Sequence, residues 1–95
     1  VLRLQLNERE NKFIEMIYDE TGGDVTQFVM GGDLYELAKR TGFNIYEVGS
    51  ISKMLSGLGL LEMDTHKGEI EGKNASVVTY VKITSPGLLY VRSLE

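Results

Sequence analysis

Few side chains in this 95-residue chain could do chemistry, and the first to consider is His66, its single histidine. Cysteine is absent, which removes a thiolate nucleophile, a thiolate metal site and any disulfide framework. A histidine-based metal site would need carboxylates from Asp64, Glu69 or Glu71, and acids scattered along a glycine-containing loop read as solvated, so no metal is expected. No nucleophile is spaced around His66. The glycine pairs Gly22-Gly23 and Gly31-Gly32 lack the Lys-Ser/Thr that follows a phosphate-cradling loop, and they read as helix and strand punctuation. The expectation is a protein that is not an enzyme and takes no cofactor.

What remains is charge and hydrogen bonding. Ten Lys and Arg against fourteen Asp and Glu give a net charge of -4, whereas a domain whose whole surface grips a phosphate backbone is usually basic. The sum hides a distribution. Residues 7–24 hold six acids (Glu8, Glu10, Glu15, Asp19, Glu20, Asp24) and two bases, Arg9 and Lys12. Residues 39–53 hold three bases, Lys39, Arg40 and Lys53, and one acid, Glu47. A basic face, if present, belongs to the middle of the chain.

With 42% hydrophobic residues, the chain is long enough for one core and too short for two, so residues 1–95 are expected to form a single domain. No apolar run approaches the roughly 20 residues of a membrane span, and the start lacks the layout of a signal peptide. A soluble, cytoplasmic protein without membrane contact is expected. Val1 is not a start methionine, which leaves room for a longer parent protein, and Leu94-Glu95 is a dipeptide that cloning commonly leaves before an affinity tag; neither of the last two residues is given a function.

The elements that must position these side chains follow from local signals. Leu2, Leu4 and Leu6 alternate with Arg3 and Gln5 as in a strand, while Leu2, Leu6, Phe13 and Ile17 could equally line one long helix. Asn7 with Glu10 has capping-box spacing, and Phe13, Ile14, Ile17 and Tyr18 supply the buried stripe of a first helix over 8–20, ended by Gly22-Gly23. A short strand is expected around 28–30. Asp33 with Glu36 repeats the capping-box spacing ahead of a second helix that buries Leu34, Leu37 and Ala38 and carries Lys39 and Arg40 in its last turn, where the helix dipole favours cations. Thr41-Gly42 breaks that helix.

Asn44 with Glu47 gives a third capping box, and Val48, Ile51, Leu55 and Leu58 repeat one face of a third helix over 44–58. Capping is a better assignment for Glu47 than accepting a hydrogen bond from cytosine. Strands are expected over 60–65 and 76–84, joined by a long loop over 66–75; Val77, Val81 and Ile83 would face inward, and Val78, Tyr80 and Lys82 outward. Ser85 as N-cap and Pro86 in the first turn open a short last helix with Leu88, Leu89 and Val91.

This order resembles the winged helix-turn-helix superfamily, including small bacterial and archaeal regulators. The resemblance covers nearly the whole chain from Asn7 onward and is closest over residues 34–43, Leu-Tyr-Glu-Leu-Ala-Lys-Arg-Thr-Gly-Phe. There a leucine-alanine pair packs on the next helix and Gly42 makes the corner. Val48, Leu55 and the Gly59-Leu60 exit match the third helix, and residues 83–87, Ile-Thr-Ser-Pro-Gly, match the passage from wing to last helix. Ser52 departs from the usual leucine. The outer face of the third helix is also less basic than is common in that superfamily.

The resemblance implies an α+β, mostly α fold: a three-helix core, a β-hairpin wing and a short C-terminal helix. It implies a transcriptional regulator that binds double-stranded DNA and places helix 44–58 in the major groove. With Val48, Ile51 and Leu55 inward, Tyr46, Gly49, Ser50 and Lys53 occupy the exposed side of that helix. Tyr46 and Ser50 would bond phosphate or a base edge, Lys53 would contact phosphate, and Gly49 would permit close approach. Lys39 and Arg40 would hold flanking phosphate, and Lys67 and Lys73 would contact the backbone from the wing. A homodimer through the apolar N-terminal segment and Leu89, Tyr90 and Val91 is expected. The alternative is a winged-helix module that binds a protein through its acidic first helix and does not bind DNA, since fold does not imply function.

Overall fold

The computed structural model of the protein describes residues 5–95. Leu2 and Leu4, on which the strand and long-helix readings of the N-terminal segment turn, lie outside them. The elements are α1 (Glu8–Thr21), β1 (Val29–Met30), α2 (Gly31–Arg40), α3 (Ile45–Gly57), β2 (Leu61–Ile70), β3 (Lys73–Ile83) and α4 (Ser85–Ser93). The architecture is α+β, with about half of the chain helical and one antiparallel three-stranded sheet in the order β1-β3-β2.

Two of the three capping boxes form. Asn7 accepts from the Glu10 amide while the Glu10 carboxylate accepts from the Asn7 amide, and Asn44 and Glu47 do the same at α3. Gly22 closes α1 at φ 64°, a left-handed conformation in which glycine carries no steric penalty. The expected Asp33–Glu36 box is absent, because α2 starts three residues earlier: β1 runs straight into it at Gly31, and its N-cap, Met30, offers no capping side chain. Gly31 sits directly against the Val78 carbonyl, where a Cβ would collide, so the second helix is fixed to the sheet through a glycine backbone. Tyr35 reinforces this join by accepting the Val78 amide at 3.1 Å. The cap of α4 is also one residue early. Thr84 rather than Ser85 accepts from the Gly87 amide, and Pro86 follows within the first turn.

One buried cluster unites the helices and the sheet. Phe13, Ile14 and Ile17 of α1 meet Leu34 and Ala38 of α2, Val48 and Leu55 of α3, Leu61, Val81 and Ile83 of the sheet, and Val91 of α4. Phe13 and Phe43 pack edge to face at 5.3 Å, an arrangement favoured by the ring quadrupole. Leu58 does not join them: α3 ends at Gly57, and Leu58 is its exposed C-cap. In α4, Val91 is buried and the Tyr90 hydroxyl donates to Asn11 of α1, so Leu89, two-thirds exposed, is what remains of the Leu89-Tyr90-Val91 surface expected to mediate dimerisation.

The largest departure from the sequence reading is the hairpin. Residues 66–75 are not a loop: β2 and β3 pair continuously from Leu61↔Ile83 to Ile70↔Lys73, and the turn is only Glu71 and Gly72. Both turn residues have positive φ, 51° and 77°, the signature of the primed turns that match strand twist in a two-residue hairpin. A second correction follows from the register. Asp64 pairs with Tyr80 and Thr65 with Val78, which leaves Thr79 as an extra residue in β3. Such a bulge exchanges the two faces of a strand beyond it. Val81 and Ile83 face inward as expected, but above the bulge Val78 is buried and Val77 is only half-buried.

Candidate nucleic-acid interface

The third helix is oriented by a contact the sequence gives no means of finding. Arg9 of α1 grips Glu47 through two hydrogen bonds, at 2.7 and 2.9 Å, across 38 positions, and also donates to the Gly42 carbonyl at 3.1 Å. Its guanidinium lies over the Phe43 ring at 4.8 Å. One arginine therefore ties the first helix to the α2–α3 turn and to the first turn of α3. Glu47 is thereby doubly engaged, in capping and in an ion pair. The Arg9 hydrogen bond, and then the Asn44 amide, hold its carboxyl below the ordinary carboxylate range.

With the inner side fixed by Val48, Ser52 and Leu55, the opposite side of α3 faces the β2–β3 ribbon. Tyr46, Gly49, Ser50 and Lys53 line one wall of a groove of about 270 Å³, and Met63, Thr65, Ser76 and Val78 line the other. Tyr46, Ser50 and Lys53 are exposed and Gly49 is half-buried. A Cβ added at Gly49 would meet nothing within 4 Å among the described residues, so their packing does not require glycine there. The Ser50 hydroxyl makes a long 3.3 Å bond to the Glu47 carbonyl, which leaves its acceptor side open.

A second cleft, of about 490 Å³, lies at the N-terminal end of α3, where Lys39 and Glu36 of α2 approach Tyr46 and the ribbon tip residue Glu71. The two cavities share Tyr46, whose hydroxyl donates to Glu71 Oε2 at 2.9 Å. The carboxylate holds the phenol above its ordinary pKa by accepting that proton.

Of the eight basic, polar and glycine positions singled out from the sequence, Lys39, Tyr46, Gly49, Ser50 and Lys53 are brought together around these two cavities. Arg40, Lys67 and Lys73 line neither. Arg40 is exposed at the end of α2; Lys67 pairs with Ser76 and Lys73 with Ile70 on the ribbon, both exposed. Among the described residues the ion pairs are Arg9–Glu47 and Lys82–Glu62, so none of these five cations is neutralised by a carboxylate. His66 is held by Thr79, at 2.6 Å from Nδ1, and no cluster of three metal-ligating side chains occurs among the described residues. The residues sequence reasoning missed are Thr65, Ser76 and Tyr35, which reach the grooves only through the strand register and the α2–β3 join.

Comparisons of the chain with family models, with curated proteins and with solved structures find no match in any of the three. No helix among the described residues is long and apolar enough to cross a membrane.

Proposed function

We propose that the chain is a winged helix-turn-helix domain that binds double-stranded DNA, with α3 entering the major groove and the β2–β3 ribbon acting as the wing, in the service of transcriptional regulation. The observation that carries this reading is the outer side of α3: Tyr46, Ser50 and Lys53, all exposed, flank a glycine that packing among the described residues does not require, next to a hairpin set at the helix's side. A helix that follows another after a tight turn and exposes side chains along its first half has the geometry that reads base edges. Lys39 lines the cleft at the start of α3, and Arg40 on α2 with Lys67 and Lys73 on the ribbon are exposed cations without a carboxylate partner among the described residues; phosphate contacts of that kind set position while base contacts set sequence.

Binding of fluorescent duplexes of several sequences tests this assignment. Lys53→Glu is expected to weaken binding on every sequence, with the log affinity against log salt slope reduced by about one. Ser50→Ala is expected to reorder preference among sequences. Equal losses from both on all duplexes would remove the base-reading role from Ser50, and full binding by Lys53→Glu would remove α3 from the interface.

One observation favours a second reading, a winged-helix module that binds a protein. Glu36 and Glu71 border the cleft beside Lys39, and α1 exposes Glu8, Glu15, Asp19 and Glu20. A basic peptide would complement those acids. The same binding assay separates the readings, since this one requires wild-type protein to ignore duplex DNA at low salt.

A further inference from the structure

Glu71 is unusual twice over. It is the one non-glycine residue among those described with a positive φ, 51°, a position in a two-residue turn where glycine or asparagine sits at lower cost. Its carboxylate reaches off the ribbon tip to the Tyr46 hydroxyl on α3, 25 positions away in sequence. Tyr46, with Tyr35 and Ile45, lines both cavities along α3, and Glu71 lines the one at the start of the helix. Lys39 lines that same cavity, and Ser50 and Lys53 line the other.

We propose that the Tyr46–Glu71 hydrogen bond is an autoinhibitory clasp, in which a carboxylate of the chain's own wing occupies the phenol donor that a DNA phosphate would take, so that duplex DNA binds only by displacing Glu71. This rests on the DNA reading above. The chemistry is an exchange of anions on one donor. A carboxylate and a phosphate oxygen both accept from a phenol, and both cannot do so along the same direction. Glu71 also adds negative charge beside Lys39, which opposes an incoming phosphate until the tip swings away. The clasp makes binding selective: a duplex that engages α3 and the ribbon together compensates for the lost bond, and a weak encounter does not.

Three variants and two readouts test this. Glu71→Gln keeps the length of the side chain and the turn backbone but removes the charge; Glu69→Gln makes the same change in charge on a ribbon residue that does not bond Tyr46; Tyr46→Phe removes the donor. In the free protein, Glu71→Gln should lower the phenol pKa of Tyr46 toward its ordinary value, followed by ultraviolet titration against Tyr46→Phe as the blank, and Glu69→Gln should leave it in place. With duplex DNA, Glu71→Gln should bind about five- to tenfold more tightly than wild type, the scale of the difference between a charge-assisted and a neutral hydrogen bond, and Glu69→Gln about two- to threefold, the scale of an exposed charge. Equal gains from Glu71→Gln and Glu69→Gln would show bulk charge alone and overturn the clasp while leaving the DNA reading in place. An unchanged Tyr46 titration in Glu71→Gln would also overturn it, with DNA binding again unaffected. Failure of wild type and every variant to bind DNA at low salt would overturn both.

Discussion

Two residues of α3, Ser52 and Gly49, separate stability from recognition. Ser52 is fully buried and its Oγ finds no partner among the described residues, and a hydroxyl removed from water without a hydrogen bond is a net cost. Ser52→Ala should therefore stabilise the fold by about 1 kcal/mol, from the lost desolvation and the better helix propensity of alanine, read by denaturant unfolding. Gly49→Ala should likewise stabilise the free protein by about 1 kcal/mol, since the added methyl meets open space. On the proposed function it should also weaken DNA binding, because that space is where the duplex approaches.

Glu47 predicts a pH dependence. Its carboxyl is held low in the fold by Arg9 and then by the Asn44 amide, so its folded pKa lies below the unfolded value of about 4.3. The stability it contributes is present above the unfolded value and is lost as pH falls through the folded one. Glu47→Gln should flatten the acid side of a melting-temperature profile below about pH 4, and Asp24, lowered by Thr26, should leave a residual slope of the same sign. Arg9→Ala should lower the melting temperature more than Lys12→Ala. Both cations lie near the Phe43 ring, at 4.8 and 5.7 Å, but only Arg9 bonds Glu47 and Gly42.

At the scale of elements, the α2–β3 join is the most sharply defined contact. Gly31→Ala should cost about 1–3 kcal/mol or more, the range for forcing a group into a filled space, because the Val78 carbonyl occupies that space. Gly32→Ala, one residue on with nothing within 4 Å, should be neutral or stabilising. Similar losses at both positions would show that α2 is not seated on β3 as described.

This join also shows where sequence reasoning stops. Asn7–Glu10 and Asn44–Glu47 were legible because a capping box is complete within four residues. Asp33–Glu36 has the same spacing and caps nothing, because its helix start is set by a strand and by backbone contact with residue 78, information that no local window holds. The ribbon was missed for a related reason: residues 66–75 lack apolar alternation, since strands beyond the core are held by backbone pairing rather than by one buried face. The inward assignment of Val77 failed because one bulged residue, Thr79, exchanges the faces. The residues around α3 fared better, since helical periodicity alone places Tyr46, Ser50 and Lys53 opposite Val48 and Leu55. Glu71's hold on Tyr46 and Arg9's hold on Glu47 are tertiary contacts without a sequence signature.

At the scale of the whole molecule, the net charge of -4 and the five exposed cations that find no carboxylate partner among the described residues pull in opposite directions. Long-range attraction to a polyanion is weak for such a molecule, so binding must come from contacts at short range, where Lys39, Arg40, Lys53, Lys67 and Lys73 each meet a phosphate or do not. The number of phosphates engaged is therefore the quantity that distinguishes a DNA-binding domain from a protein-docking one with the same fold. A salt titration of the full chain on a mixed-sequence duplex measures it directly, because each neutralised phosphate contributes about -0.9 to the slope of log affinity against log salt. The proposed function predicts measurable binding at low salt and a slope between about -2.7 and -4.5, corresponding to roughly three to five such contacts. No binding at low salt, or binding that salt leaves unchanged, would contradict it.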